Sequence, residues 1–275
     1  SLTQEVAYDS LLFKRRQEIH ERIGQAIEEL YSDRLEEFYE VLAHHYSRSE
    51  NPEKAYQYMK LSGAKAALRY ATWEAFRFYK EAINVLTQLP ETEENKRKGM
   101  EVRLLAAEPM GLLGYPEDSL QILEKGESLA KELGDECSLA RFYSNIGLRH
   151  LLHGDVPQGT AYAENAFEVA ERILDIDMVV RTGMNLCPIY MVGAQYSKGA
   201  EVARRVTALL EKTQNQHYYI GGVVMVYPCL LSFCGHAMGA LGDFAEGKAF
   251  CEKALRFARE INNLVAIVYA EYNFG

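Results

Sequence analysis

A pattern of small side chains recurs along most of this chain and constrains its fold more than any other feature. Around Gly154, small residues lie seven positions before the glycine and five, nine and twelve positions after it. These residues are Gly147, Gly159, Ala163 and Ala166. Frames centred on Tyr70, Gly114, Ala194 and Gly242 repeat much of the arrangement, and successive centres are 40 to 48 residues apart. Repetition at this interval predicts stacked supersecondary units that share a continuous core.

The centre of each frame marks a predicted corner between two helices. Gly154-Asp155 and Gly242-Asp243 pair a glycine, which ends a helix, with an aspartate, which can cap the next one. Small residues on both sides of the corner would let the paired helices approach closely. We therefore predict an all-α fold of helix hairpins with a period of about 40 residues. The predicted helices lie near residues 53–71, 73–88, 95–113, 117–133, 137–153, 157–173, 177–193, 197–213, 217–241, 244–261 and 264–275.

These hairpins resemble the tetratricopeptide repeat. The resemblance is carried by Asn145-Ile146-Gly147, by the Gly154-Asp155 corner and by the spacing of Ala163 and Ala166. The usual period of that repeat is about 34 residues, so the longer period here is similar to the extended repeats of signalling ATPases. The resemblance runs from about Ser62 to the end of the chain. It implies a right-handed α-α superhelix.

The opening of the chain resembles a second, more specific context. The segment LTQEVAY at residues 2–8, followed by RR at 15–16, looks like the segment that leaves the ATPase module of bacterial signalling proteins. Those proteins join an adenylate/guanylate cyclase or a protein kinase to a STAND-type ATPase and then to tetratricopeptide repeats. LAHHY at residues 42–46 and YKEAINVL at 79–86 look like the first repeats of the same family.

This resemblance implies a division of the chain at about residue 50. Residues 1–50 would form a helical linker or cap from the preceding ATPase module, and residues 51–275 would form the repeats. Within the first part we predict a helix that starts at Asp9-Ser10 and a second helix over about residues 33–48. The repeat frame predicts a further corner 40 residues beyond Gly242, past Gly275, so we expect the chain to be cut from a longer protein.

The balance of charge makes nucleic acid an unfavourable partner. The chain has 30 Lys and Arg against 39 Asp and Glu, a net charge of -9. Neutralising phosphates requires clustered basic residues. The 5 cysteines and 7 histidines show no metal-ligand spacing, so we predict reduced thiols, a cytoplasmic location and no metal.

Residues 220–241 imitate a membrane span because they contain no Asp, Glu, Lys or Arg. The segment also contains Pro228, His236 and four glycines, and it occupies the place of a first helix in a repeat. A helix covered on all sides by its neighbours is apolar all round. We therefore predict a buried repeat helix and no membrane association.

No motif in the sequence predicts catalysis or a cofactor. Gly242 to Lys248 has the glycine and lysine spacing of a phosphate-binding loop, but Ala249 follows where a Ser or Thr is needed, and the preceding element is a predicted helix. We therefore predict a non-catalytic fragment with no cofactor. The ATPase and the cyclase or kinase activity implied by the resemblance would belong to the parent protein.

The candidate binding residues lie on predicted first helices. Arg141 and Asn145 are four residues apart and share a helix face, and Arg181 and Asn185 repeat the pair one unit later. We call each Arg/Asn pair a rung. Because Arg is a strong hydrogen-bond donor to carboxylates, two rungs in line could bind an extended peptide. The arrangement resembles in part the carboxylate clamp of chaperone-binding repeats, although Ser144 and Met184 stand where lysines are expected. The full predicted site is Arg141, Ser144, Asn145, Leu148, Arg181, Met184 and Asn185.

A structural interpretation of the same residues stays open. The asparagines would then cap or bridge helices, and the arginines would pair with nearby acids. His217 and Tyr218-Tyr219 are further candidates for an interface, although most of the 18 tyrosines are expected to pack in the core.

The functional prediction is a regulatory, protein- or peptide-binding module of a larger signal-transduction protein. One alternative is a sensor that encloses a small effector molecule in the groove of the first helices. The other is a scaffold that holds copies of the parent protein together.

Overall fold

The computed structural model describes residues 13–220 and 224–274, and it divides into two compact units, Ser1–Leu133 and Gly134–Gly275. The side chains of residues 273 and 274 are not described. The helices of the first unit are α1 (Phe13–Leu30), a 3₁₀ helix (Ser32–Phe38), α2 (Tyr39–Tyr46), α3 (Pro52–Leu68), α4 (Thr72–Leu86), α5 (Glu93–Leu112) and α6 (Ser119–Leu133). The second unit contains α7 (Glu136–Leu152), α8 (Val156–Arg172), α9 (Ile176–Val192), α10 (Tyr196–Lys212), β1 (Tyr219–Ile220), β2 (Val224–Met225), α11 (Val226–Ala240), α12 (Phe244–Glu260) and α13 (Leu264–Phe274).

Tight approaches between paired helices occur where the small-residue pattern predicts them. In the first unit, a methyl group at Gly63 would lie 2.6 Å from the ring of Tyr79. In the second unit, a methyl group at Gly147 on α7 would lie 3.0 Å from the carbonyl oxygen of Gly159 on α8. Each contact joins a residue seven positions before the centre of its frame to a residue on the paired helix. That second residue lies nine positions after the centre for Tyr79 and five positions after it for Gly159. The small-residue prediction is therefore confirmed.

Left-handed backbone marks the corners. All five predicted centres have a positive φ: Tyr70 (57°), Gly114 (71°), Gly154 (84°), Ala194 (54°) and Gly242 (91°). The next residue in the last three cases is the N-cap of the following helix, and Asp155 and Asp243 accept a hydrogen bond from a backbone N–H of that helix's first turn. This geometry ends one helix and caps the next within a few residues.

In the second unit the first helices of successive hairpins form a continuous layer. Helices α7, α9, α11 and α13 each pack against the next member of this series as well as against a second helix. The shared core is apolar and includes Leu186, Val206, Leu210, Leu230 and Leu231, each no more than 1% exposed. Side chains on one face of α7 and α9 are consequently held at a fixed spacing by a packed layer beneath them.

The structure corrects two predicted helices. The helix predicted over residues 217–241 begins only at Val226, and Tyr219–Ile220 pairs with Val224–Met225 in a short antiparallel hairpin. The helix predicted over residues 33–48 is split into the 3₁₀ helix and α2, and the backbone departs from α-helical geometry at Arg34 (φ -144°, ψ 38°) and at Phe38 (φ -113°, ψ 4°). The predicted start at Asp9-Ser10, and the segment at residues 2–8, lie outside the described residues. The predicted domain boundary at about residue 50 stays a prediction.

The charge-free segment at residues 220–241 includes all fifteen residues of α11, and eleven of these fifteen are buried. None of the helices in the described part of the chain is long and apolar enough to cross a bilayer.

Candidate functional site

The two predicted Arg/Asn rungs lie on adjacent helices of the second unit. Arg141 and Asn145 are on α7, Arg181 and Asn185 are on α9, and the two helices pack against each other. The amide of Asn185 donates a hydrogen bond of 2.9 Å to the hydroxyl of Ser144, a side chain on α7 that is only 5% exposed. The structure therefore places the two rungs on adjacent helices and ties Asn185 of the second rung to Ser144, the residue before Asn145 of the first.

The asparagines also hold the helices in place. The amide of Asn145 donates a 2.8 Å hydrogen bond to the carbonyl oxygen of Arg141, one turn earlier on α7. Asn185 bridges α9 to α7 through Ser144. Both asparagine amide nitrogens are therefore engaged by the protein, as the structural interpretation of these residues expects.

Arg181 belongs to a cluster that the sequence analysis did not assemble. Its Nε donates to a carboxylate oxygen of Asp177 at 2.7 Å, and the hydroxyl of Tyr218 donates to the other oxygen. The guanidinium carbon lies 5.8 Å from the centre of the Tyr218 ring, within the range of a cation–π contact. Asp177 is four residues before Arg181, a spacing that could have revealed it.

Electrostatics stabilise the ionised form of the acid in this cluster. Partial burial opposes ionisation of Asp177, but hydrogen bonds from Tyr218 and Arg181 and the nearby charges of Arg181 and Arg141 outweigh it and lower its pKa. Burial of Tyr218 and its hydrogen bond to Asp177 raise the pKa of the tyrosine hydroxyl to about 12. In this cluster Asp177 and Arg181 form an ion pair, and the hydroxyl of Tyr218 donates a hydrogen bond to Asp177. The positive charge of Arg181 is therefore largely neutralised by Asp177.

Arg141 differs from Arg181 because no acid in the described part of the chain bonds to it directly. It is exposed on α7, and within the described residues its guanidinium makes no ion pair. Leu148 and Met184 lie beside the polar residues and are partly buried against the core of the second unit. The face therefore combines an accessible cation, half-buried amides and apolar patches.

The aromatic residues near β1 are held within the second unit. The ring of His217 lies 5.5 Å from that of Phe257 on α12, and Tyr219 accepts a 3.4 Å hydrogen bond from Asn263. Tyr218 packs against the core and contacts α9 through Asp177. Of these candidates, Tyr218 is the one that joins the predicted site.

Two features that could suggest other chemistry have structural roles. Gly242 closes α11 in a left-handed conformation, and Gly247 packs against Gly235, so the glycines of the phosphate-loop spacing serve the hairpin. Cys229 and Cys234 are buried thiols, and burial raises the pKa of both to about 12. Among the described residues, no group of three His, Cys, Asp or Glu side chains is placed to hold a metal ion.

Comparison with known proteins identifies the fold. No family model and no curated protein sequence matches this chain. Among solved structures, it is similar to BtubC from P. vanneervenii, with a TM-score of 0.61 at 14% identity over 92% of this chain and 93% of that one. It is also similar to the putative kinesin light chain of Podosopora anserina with nearly identical TPR-like repeats, with a TM-score of 0.61 at 12% identity over 75% and 95% of the two chains.

A third similar structure is the Rap conjugation gene regulator of the plasmid pLS20 with a Phr peptide bound. Its TM-score is 0.56 at 14% identity, over 94% of this chain and 75% of that one. At these identities the likeness establishes the fold and nothing finer. The chain has the fold of tetratricopeptide-like repeat proteins, and the predicted all-α class of helix hairpins is confirmed.

Proposed function

We propose that this chain is a non-catalytic module that binds a protein or peptide segment on the α7–α9 face of its second unit. The observation that carries the proposal is the Asn185–Ser144 hydrogen bond, because it ties the rung on α9 to the helix turn of α7 that carries the other rung. A preorganised polar face of this kind lowers the entropy lost when an extended chain binds.

The charges of the face define the ligand it suits. Arg141 is the exposed cation without a bonded acid, so it is the donor for a carboxylate on the ligand. Arg181 is already paired with Asp177, and it would position that acid and Tyr218 more than it would bind the ligand directly. Leu148 and Met184 offer contacts for an apolar side chain near the acidic group. The proposed ligand is thus a peptide segment with an acidic residue or a C-terminal carboxylate beside an apolar residue.

Two further observations support a binding role. The Rap regulator with a similar fold has a Phr peptide bound in its own structure. The first 90 residues resemble the segment that follows the ATPase module in bacterial cyclase- or kinase-linked signalling proteins. We therefore place the module in such a parent protein, where ligand binding would regulate the attached ATPase and output domain.

The test is to select binding peptides from a random displayed library and measure their affinity by fluorescence anisotropy. We compare the native chain, the double variant Arg141→Ala/Arg181→Ala, and the control Arg204→Ala. Arg204 is exposed on the second helix α10 and pairs with Glu246 at 2.7 Å, away from the α7–α9 face. Each charge-assisted hydrogen bond contributes about 1.5–3 kcal/mol, so the double variant should bind at least about 10-fold more weakly.

Unchanged affinity of the double variant, with native-like circular dichroism, would show that this face does not bind the peptides. The same samples separate the two alternatives. Concentration-dependent mass in light scattering, abolished by the double variant, would replace the proposal with self-association through this face. Selection of no peptide, with a monomer at every concentration, would leave the small-effector alternative as the better explanation.

A further inference from the structure

A cavity in the first unit, remote in sequence from the proposed binding face, has the composition of a second site. It has a volume of about 210 Å³ and lies among the end of α4, the connector that follows it, α5 and α6. One wall is apolar and is formed by Ile83, Leu86 and Leu129. Polar groups on the other side include Asn95, Lys96, Arg103 and Lys125.

Arg103 is the unusual member of this lining. Arg103 is only 9% exposed, and its Nη1 donates a hydrogen bond of 2.8 Å to the carbonyl oxygen of Gly99. Among the described residues, its Nε has no hydrogen-bond acceptor and no carboxylate forms an ion pair with its guanidinium. Burial lowers the pKa of Arg103, yet a guanidinium stays protonated in proteins. A buried cation without a counter-charge is expensive unless something supplies the missing acceptor.

The neighbouring charges do not supply it. Lys96 and Glu132 form an ion pair with each other, so Glu132 is already engaged. Lys125 is exposed at the cavity and forms no ion pair among the described residues. Glu91 lies on the exposed connector, where its charge acts on Lys96. The cavity lining therefore carries three basic side chains (Lys96, Arg103 and Lys125) against two acidic ones (Glu91 and Glu132), an excess of one positive charge.

The space beside the guanidinium is kept open by a glycine. A methyl group at Gly99 would lie 3.2 Å from Nη1 of Arg103 and 3.4 Å from a terminal carbon of Leu129. A methyl group at this position would therefore press on the guanidinium and would occupy the space between it and Leu129. Gly99 lines the cavity at the point where charge and apolar surface meet.

We infer that this cavity binds the carboxylate of a small organic acid, with the carboxylate on Arg103 and the carbon chain against Ile83, Leu86 and Leu129. A guanidinium donates charge-assisted hydrogen bonds to a carboxylate, which are stronger than those between neutral groups. The apolar wall favours an acid with a hydrocarbon body over an inorganic anion. The volume is smaller than that of pockets for drug-sized molecules, about 300–1,000 Å³, so the ligand is small.

The test uses hexanoate as the probe, hexanamide as the uncharged control of the same shape, and sodium chloride at equal ionic strength. Thermal unfolding of the full chain is measured for the native protein, Arg103→Met and Arg97→Met. Arg97 is the matched control because it is on the same helix, is exposed and pairs with Glu93. At about ten times its dissociation constant, hexanoate should raise the melting temperature of the native chain and of Arg97→Met by about 3–6 °C.

Arg103→Met should show no such shift, and hexanamide and chloride should not shift the native chain. Equal shifts with hexanoate and hexanamide, an undiminished shift in Arg103→Met, or no shift in the native chain at any soluble concentration would each overturn the inference. The comparison of hexanoate with hexanamide needs only the native protein, so it decides the matter even if the methionine variant does not fold.

Discussion

Replacing Gly247 with alanine tests how closely α11 and α12 pack. A methyl group at Gly247 would lie 2.9 Å from the carbonyl oxygen of Gly235 and 3.0 Å from the backbone nitrogen of Gly239. Both atoms belong to the backbone of α11, so no side-chain rotation can make room for the methyl group. The two helices would have to move apart along their contact.

The magnitude follows from two opposing effects. Extra atoms in a packed contact cost about 1–3 kcal/mol, and the upper half of that range applies because the obstructing atoms are backbone. Alanine in place of glycine within a helix returns about 1 kcal/mol. We expect the free energy of unfolding to fall by about 1–2 kcal/mol, which lowers the melting temperature by about 3–6 °C.

Gly239→Ala is the matched control on the same hairpin. A methyl group there has no atom within 4 Å, so the substitution should stabilise the chain by about 0.5–1 kcal/mol. Urea denaturation followed by far-UV circular dichroism measures both variants. If Gly247→Ala proved as stable as the native chain while Gly239→Ala behaved as expected, the close approach would not determine how these helices pair.

Two further predictions concern pH and helix capping. Burial and the nearby charge of Arg48 lower the pKa of His20, His44 and His45, the last to about 4, and repulsion from neighbouring histidines adds to the effect at His20 and His45. The unfolded chain therefore takes up more protons between about pH 6.5 and pH 4, so stability should be complete above this window and fall as pH decreases through it. His45→Gln should flatten that decline in urea titrations at several pH values, and an unchanged slope would contradict the assignment. Asp243→Ala removes the side chain that caps α12 and should cost about 1 kcal/mol in the same assay. Asp243→Ser should retain most of the capping stability, and equal loss in both variants would rule out capping as the cause.

Sequence periodicity predicted the corners better than residue type would have done. Tyr70 and Ala194 are poor candidates for a left-handed conformation on their own, yet both have a positive φ because the repeat requires a corner there.

The short β-hairpin before α11 was not predicted, because the repeat frame was given more weight than the local sequence. An apolar run without charges is compatible with a buried helix or with strands, and the repeat frame favoured the helix. The Gly221-Gly222 pair between the strand residues was the turn signal that should have carried more weight.

The candidate site was predictable where it depends on local spacing. The four-residue intervals on α7 and α9 placed the arginines and asparagines together on their helices. The contact between Tyr218 and Asp177 joins residues 41 positions apart, and the Asn185–Ser144 bond spans the same separation. Such pairings depend on the rotation of each helix within the packed layer, which a single sequence does not specify. The burial of Arg103 was hidden for the same reason, since exposed and buried arginines look alike in a sequence.

The regular spacing of the left-handed residues also limits how a chain like this can change length. In the second unit a positive φ occurs every 20 residues from Gly134 through Gly154, Leu174 and Ala194 to Gln214, and the same 20-residue interval separates Gly242 from Asn262. Removing one residue inside a helix would turn everything after it by about 100° and carry small side chains away from the partner they must meet. Gain or loss of an entire helix hairpin leaves the small side chains of every later helix facing their partner helix. Relatives of this protein should therefore differ in length by whole hairpins, with single insertions confined to the corners.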